Sequence, residues 1–204
     1  SAGQIQKGRT NILAISELLN NSGNTRDKLK RGLGTSYKYL SQQIVDTEEK
    51  IPRFDQVLQL VDKKVPLLIE LKPQGDVIFL CESFMKTISS YQGVWAVFSF
   101  HPKVVSWFKK NHPEVIRGQI SEYFKDDKKM NPIAKYLMKS FFFNRFTKPD
   151  FVSYGIYDMP NKYLDKLMRK GMTVISYAAR SQKEFDFVKS HYHNTVFEFF
   201  EPKK

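Results

Sequence analysis

From residue 49 onward, apolar residues recur in two alternating periods, one typical of helices and one typical of strands. The pattern predicts six strands, at 65–72, 94–100, 115–121, 150–157, 172–179 and 195–200. Between them it predicts helices at 52–61, 77–91, 102–111, 133–143, 162–170 and 181–191. Such alternation is typical of a parallel sheet with right-handed crossovers, so the fold class is α/β, either a barrel or a doubly wound sheet. No glycine-rich phosphate loop follows a predicted strand, which disfavours a dinucleotide-binding fold.

The first predicted strand, VPLLIELK at 65–72, ends in two charged residues. Its apolar run is too short to span a membrane and is typical of a strand buried on both faces. Glu70 and Lys72 are two residues apart, so their side chains point to the same face of the strand. In parallel α/β folds, ligands bind at the carboxyl ends of the strands. The pair could therefore hold a divalent metal and an anionic oxygen, or it could be an ion pair that caps a core strand.

The first 48 residues follow a different pattern. Residues 11–19 have the spacing of a helix, 20–24 form a polar loop, and 26–34 are basic and contain glycine. No segment before Val65 is a convincing strand. We therefore expect two regions, a divergent helical and loop segment at 1–48 and a barrel region at 49–204.

Composition and charge narrow the class of protein. The chain has 204 residues, 41% of them hydrophobic, which is enough for a globular domain. Its net charge of +12 favours anionic partners, namely nucleic acid, acidic lipid surfaces or phosphorylated substrates. No helix-turn-helix, zinc-finger or RNA-recognition signature accompanies that charge, so no nucleic-acid partner is predicted.

The single cysteine and the absence of long apolar runs limit the chain further. Cys81 is the one cysteine, which excludes an intramolecular disulfide, and its apolar surroundings predict a buried residue. The sequence contains neither a signal peptide nor an apolar run of transmembrane length. The expected location is cytoplasmic or membrane-associated.

Several segments together resemble the glycerophosphodiester phosphodiesterase family. The resemblance runs from Lys50 to Pro202 and rests on the segments IPRFDQVL (51–58), VPLLIELK (65–72), SF (99–100), RGQIS (117–121), KPDFVSY (148–154) and TVFEFFEP (195–202). The family fold is a TIM-type (β/α) barrel of eight strands. The resemblance implies that the six predicted strands are strands 3 to 8 of an incomplete barrel, with strands 1 and 2 absent or replaced.

The resemblance also implies a chemistry, the metal-assisted hydrolysis of glycerol phosphodiesters. A metal ion, Mg or Ca, neutralises charge on the phosphate, while a histidine protonates the leaving group. Glu70 matches a metal ligand of the family, and Lys72 matches the lysine that meets the phosphate. The expected partner is a glycerophosphodiester or a phospholipid headgroup.

Much of the family site has no counterpart in this sequence. The His-Arg-Gly, Glu-x-Asp and His-Asp motifs do not occur, and no histidine precedes His101. Residues 10–18 resemble the helix after the first family strand, and 27–34 resemble the segment after the second histidine. Both catalytic histidines and two of three metal carboxylates are therefore missing, so enzyme activity is left open.

Three further residues follow predicted strands or lie late on them, at ligand-facing ends. His101 is the histidine best placed to substitute in catalysis, although it also fits a solvated loop residue. Tyr177 stands where the family has a tryptophan, so it contacts the glycerol moiety or packs in the core. Glu198 is a substrate-binding candidate that pairs with Lys72 or stays solvated.

A basic segment, 128–148, suggests a second kind of partner. It holds six basic residues and no acidic one, and Ile133, Ala134, Leu137, Met138, Phe141 and Phe142 repeat at helical spacing. Such a helix can lie in the interface of an anionic membrane, or it can pack its stripe against a barrel core.

The sequence leaves three functions open. The chain is a phosphodiesterase whose missing strands come from residues outside this sequence or from another chain, or it is an inactive relative that binds phosphodiester or lipid headgroups, a membrane or a protein. The third alternative is a structural module. An incomplete barrel has unpaired edges, so we expect a dimer or a partner chain that completes it.

Overall fold

The computed structural model describes the backbone of residues 12–14 and the residues 52–73 and 75–203. Its seven strands are β1 (Ile12–Ala14), β2 (Leu67–Glu70), β3 (Trp95–Ser99), β4 (Arg117–Ser121), β5 (Phe151–Gly155), β6 (Thr173–Ala179) and β7 (Asn194–Phe197). Its helices are α1 (Phe54–Val61), α2 (Val77–Ile88), α3 (Pro102–Asn111), α4 (Pro132–Lys139), α5 (Asn144–Thr147), α6 (Lys162–Met168) and α7 (Gln182–His191). A short 3-10 helix, Ile156–Asp158, follows β5.

The predicted fold class is confirmed, because the six predicted strands are present as β2 to β7 and alternate with helices. The pairs β4–β5, β5–β6 and β6–β7 are parallel. The fold is an incomplete TIM-type (β/α) barrel. Contacts divide the chain into two units, Ser1–Val97 and Phe98–Lys204, which are described separately below.

Strand β1 corrects the prediction for the N-terminal segment. Residues 12–14 form a strand parallel to β2, with Ile12 opposite Leu68 and Ala14 opposite Glu70. The helix predicted over 11–19 is therefore wrong at these positions, and so is the expectation of no strand before Val65. A short apolar run fits either structure, and pairing with β2 decides in favour of the strand. The rest of the predicted 1–48 region lies outside the described residues.

Aromatic residues form the core of the N-terminal unit. The ring of Phe84 on α2 stacks on Phe54 at a centroid distance of 5.5 Å and meets the edge of Trp95 at 5.6 Å. Helix α2 begins at Asp76, whose carboxylate accepts hydrogen bonds from the backbone N–H groups of Ile78 and Phe79. Cys81 is fully buried, as predicted, and burial raises the pKa of its thiol to about 12.

In the C-terminal unit, β4 is anchored by a buried arginine. The guanidinium of Arg117 donates hydrogen bonds to the carbonyls of Pro113, Val115 and Lys148 at 3.0–3.2 Å. Its Nη1 lies 3.5 Å from a carboxylate oxygen of Asp150. Because these carbonyls belong to the segments entering β4 and β5, the arginine ties the starts of the two strands together. The RGQIS motif therefore begins with a structural residue.

The chain after β4 corrects a second prediction. The helix expected at 133–143 ends at Lys139, and Phe141 follows it with a left-handed φ of +56°. Phe141 is buried and packs on Tyr154 at 5.5 Å. The predicted stripe from Ile133 to Phe142 is therefore not one helix face. Its first residue, Ile133, is instead exposed.

Candidate functional site

Glu70 and Lys72 lie where β2 ends in the N-terminal unit. Glu70 is the last residue of the strand and is only 9% exposed. Its Oε2 lies 3.5 Å from Nζ of Lys72, whose side chain remains 43% exposed. The two residues thus form an ion pair, which is one of the two alternatives predicted for them. The pairing compensates the charge of a nearly buried carboxylate, and the lysine side chain beside it is partly exposed.

The side chains that the structure describes do not by themselves fit a Mg or Ca site. Ca²⁺ takes six to eight oxygen ligands, whereas Mg²⁺ takes six, of which one or two are usually carboxylates and the others waters or substrate phosphates. Within the described ranges no group of three or more His, Cys, Asp or Glu side chains is placed to hold a metal. Glu70 is the one carboxylate that the resemblance assigns to the metal there, and Lys72 is beside it. No catalytic step through a metal is therefore derived.

Tyr177 lies at the carboxyl end of β6 in the C-terminal unit, next to a carboxylate that sequence reasoning missed. Its hydroxyl donates to Oε2 of Glu122 at 2.9 Å and lies 3.2 Å from the carbonyl oxygen of Ser121. Its ring meets the edge of Phe100 at 5.8 Å. Glu122 directly follows β4, and this position after a predicted strand could have identified it as a site residue from the sequence. The half-buried ring is held in place from two sides.

Gly155, at the end of β5, lies against this tyrosine and carboxylate. A Cβ atom at this position would lie 3.2 Å from Cβ of Glu122 and 3.4 Å from the hydroxyl of Tyr177. Glycine therefore permits the close approach of three strand ends, those of β4, β5 and β6.

Glu198 pairs with Arg180, a residue that sequence reasoning did not consider. Nε of Arg180 donates to Oε1 of Glu198 at 2.6 Å, and this bond raises the pKa of the arginine. The guanidinium also lies over the ring of Phe199, which is 87% exposed. The pair follows β6 and β7, so charged and aromatic groups lie together near these two strand ends.

His101 caps helix α3 in the C-terminal unit. Its Nδ1 accepts a hydrogen bond from the backbone N–H of Lys103 at 3.2 Å, and the backbone N–H of His101 donates to Oγ of Ser99. Burial, and then the charge of Lys103, lowers the pKa of the imidazole from its ordinary value of 6.5. The neutral ring is thus the form that the helix cap requires. A catalytic role for His101 stays a prediction.

The cap predicts a pH dependence of stability. Because the folded pKa of His101 is lowered, the unfolded chain binds this proton first, and stability falls as pH drops through 6.5 toward the folded pKa. In His101→Asn an amide oxygen can cap the helix without titrating. We expect thermal melting between pH 5 and 8 to show a shallower acid-side loss in the variant. If the melting temperature fell equally steeply with pH in both proteins, His101 would not be the group that causes the acid-side loss.

The five residues predicted for the site are divided between the two units. Glu70 and Lys72 belong to the N-terminal unit. His101, Tyr177 and Glu198 belong to the C-terminal unit, where the hydrogen bonds of Tyr177 and Glu198 go to Glu122 and Arg180.

Comparison with known proteins identifies the fold. No protein-family model matches the chain, and no curated protein is similar to it in sequence. Solved structures do match. A glycerophosphodiester phosphodiesterase from Parabacteroides distasonis superposes with a TM-score of 0.59 at 13% identity, over 79% of this chain and 66% of that one. A glycerophosphodiester phosphodiesterase from Thermotoga maritima gives 0.53 at 11%, over 72% and 60%.

A third match carries a ligand. An Oleispira antarctica phosphodiesterase, solved with its product sn-glycerol-3-phosphate, superposes with a TM-score of 0.58 at 13% identity, over 74% of this chain and 58% of that one. The chain thus spans between 58% and 66% of the length of these three structures. At such identities the likeness establishes the fold alone.

Among residues 52–73 and 75–203, none of the helices combines the length and the apolar character that crossing a membrane requires.

Proposed function

We propose that this chain belongs to the glycerophosphodiester phosphodiesterase family and binds a glycerol phosphodiester or phospholipid headgroup at the end of β2. The observation that carries the proposal is the placement of Lys72 beside Glu70 at that strand end, in a chain with this fold. A neighbour in fold, the Oleispira antarctica phosphodiesterase, holds sn-glycerol-3-phosphate.

Lys72 is the phosphate contact in this proposal. Its side chain is partly exposed, and its ammonium group carries a positive charge that attracts a phosphodiester oxygen. Glu70 lies 3.5 Å away and holds the ammonium near the strand end. A charge-assisted hydrogen bond from a lysine held in this way contributes about 1.5–3 kcal/mol to binding.

Metal-assisted hydrolysis is the second candidate function, and the observation that favours it is the carboxylate of Glu70 at the strand end. The resemblance makes Glu70 a ligand for Mg or Ca, and the further ligands would have to come from outside the described residues. The roles of Tyr177 and Glu198 in substrate binding, and of His101 in catalysis, stay predictions.

Titration calorimetry with sn-glycerol 3-phosphate and glycerophosphocholine tests the headgroup proposal. Lys72→Met removes the charge and keeps most of the aliphatic stem, so we expect the affinity to fall at least about tenfold. Lys64→Met is the matched control, because Lys64 is an exposed lysine of the same unit whose only close carboxylate in the described chain is Asp62, at 4.0 Å.

The control should bind both ligands as the wild type does. Equal affinities of Lys72→Met and the wild type would contradict the role of Lys72. Absence of any binding to the wild type would contradict the headgroup proposal as a whole.

We also propose that a second copy or a partner chain completes the barrel. Strand β7, the last strand of the described sheet, is short and pairs with β6 on one side. An edge strand of this kind is a template for pairing with another chain. The expectation of a dimer or partner stays a prediction.

A further inference from the structure

Helix α4 turns apolar side chains toward solvent. No residue of this helix is buried. Ile133 is 73% exposed and Tyr136 is 55% exposed, and the two are three residues apart, so they neighbour each other on the same face. A surface helix of a barrel normally turns such residues toward the core. Ile133 and Tyr136 thus make the solvent side of α4 apolar, whereas the solvent side of a surface helix is normally polar.

Basic side chains surround this apolar face. The segment 128–148 holds six basic residues and no acidic one. Nζ of Lys139 lies 5.9 Å from the ring centroid of Tyr136, at the border of the apolar face. Lys128 and Lys129 are exposed just before the helix, where Asp127 accepts hydrogen bonds from the backbone of Lys129 and Met130. Asp127 lies near Lys135 on α4, so a carboxylate is also present beside this face. With Asp126 and Asp127 included, residues 126–139 hold four lysines and two aspartates, so the net charge beside the apolar face is positive.

A second exposed aromatic residue follows on α5. Phe146 is 58% exposed, and the guanidinium of Arg145 lies 4.0 Å from the ring centroid of Phe142 and 5.8 Å from that of Phe146. Nζ of Lys109 donates to the carbonyl of Phe146 at 2.6 Å, which adds another cation from α3. The combination of exposed apolar rings and cations seen on α4 therefore recurs on α5.

We propose that the segment 128–148 binds the surface of an anionic lipid bilayer, with Ile133 and Tyr136 entering the interface and the lysines contacting lipid phosphates. Transfer of an exposed isoleucine out of water is favourable. Tyrosine, which has an apolar ring and a polar tip, prefers the membrane interface. Lysines near an anionic surface each add further attraction. Charge complementarity favours this occupant over an apolar protein groove, which would not need the basic border.

This surface and the proposed headgroup contact belong to different units of the chain. Lys72 belongs to the N-terminal unit, and the segment 128–148 belongs to the C-terminal unit. The two proposals can therefore fail independently. Binding of a soluble headgroup concerns Lys72, whereas binding of a vesicle surface concerns α4.

Vesicle sedimentation tests the proposal, with the whole chain and vesicles of phosphatidylcholine alone or mixed with phosphatidylglycerol. We expect the wild type to bind the mixed vesicles and Ile133→Ser/Tyr136→Ser to lose at least about tenfold in partition coefficient. Ile116→Ser is the matched control, because Ile116 is an exposed isoleucine of the same unit outside the segment. The control should partition as the wild type does.

Three results would overturn the proposal. The first is equal partitioning of the double variant and the wild type, and the second is no binding of the wild type to the mixed vesicles. The third is a loss in Lys72→Met without a loss in the double variant, which would assign vesicle binding to the headgroup contact. If the double variant does not fold, Tyr136→Trp replaces it, and absence of a blue shift in its added fluorescence with mixed vesicles would equally overturn the proposal.

Discussion

Replacing Phe84 with alanine should lower the free energy of unfolding by about 3–5 kcal/mol. The ring is fully buried and contacts Phe54 and Trp95, so its removal takes apolar surface out of contact with two aromatic neighbours. It also leaves a cavity, because α1, α2 and β3 can close only partly around the shorter side chain. Urea denaturation followed by far-UV circular dichroism measures the change.

Phe199→Ala removes the same atoms from a ring that is 87% exposed, and it serves as the matched control. We expect this variant to change the free energy of unfolding by no more than about 0.5 kcal/mol. If Phe84→Ala were as stable as the control, Phe84 would not hold the core of the N-terminal unit.

Arg117→Met should cost on the order of 3 kcal/mol of stability. The variant keeps the length of the side chain but removes the donors that satisfy the carbonyls of Val115 and Lys148. Those carbonyls would lose charge-assisted hydrogen bonds at a position where the guanidinium is buried. Denaturation of the two proteins under identical conditions measures the difference in the free energy of unfolding.

The variant Asp150→Asn distinguishes the contribution of the hydrogen bonds that Arg117 donates to carbonyls from that of its ion pair with Asp150. The Asp150 side chain is about half exposed, and its Oδ2 also accepts from the backbone N–H of Arg117. An asparagine oxygen can accept the same bond, so we expect a loss below about 1 kcal/mol. A larger loss in Asp150→Asn than in Arg117→Met would show that the ion pair, not the carbonyl network, anchors β4.

The strands were the most predictable part of the fold. Buried parallel strands are nearly continuous apolar runs, and β2 to β7 all lie within the predicted segments or one residue beyond them. Strand β1 was missed because three apolar residues within 11–19 also fit a helix face. Only the pairing of Ile12–Ala14 with β2 distinguishes a strand from a helix here, and the sequence of one segment does not show which segment it pairs with.

The end of helix α4 shows a different limit. The spacing of apolar residues predicted a helix over 133–143. In the structure the helix ends before Ser140, and the chain turns at Phe141, which has a positive φ. The burial of Phe141 against Tyr154 stabilises this turn, and that contact is a tertiary one. Periodicity therefore identified the helix but not the direction in which its apolar residues point.

In the candidate site, local pairs were predictable and distant ones were not. Two-residue spacing on a strand predicted that Glu70 and Lys72 would meet. Glu198 and Arg180 lie 18 residues apart, and Glu122 and Tyr177 lie 55 apart, so the packing of the strand ends decides those pairs. The sequence offered no partner for Tyr177, and for Glu198 it offered Lys72, whereas in the structure Glu198 accepts a hydrogen bond from Arg180.

Phosphorus NMR of glycerophosphocholine mixed with the protein tests headgroup binding most directly, because one spectrum separates binding from hydrolysis. Binding broadens the phosphodiester signal, whereas hydrolysis produces the phosphomonoester signal of glycerol 3-phosphate. With Mg or Ca present, a monoester signal from the wild type that Glu70→Gln abolishes would establish the second candidate function. We predict that the wild type and Lys64→Met broaden the diester signal and that Lys72→Met does not. An unbroadened diester signal with the wild type at millimolar ligand, and no monoester, would contradict it.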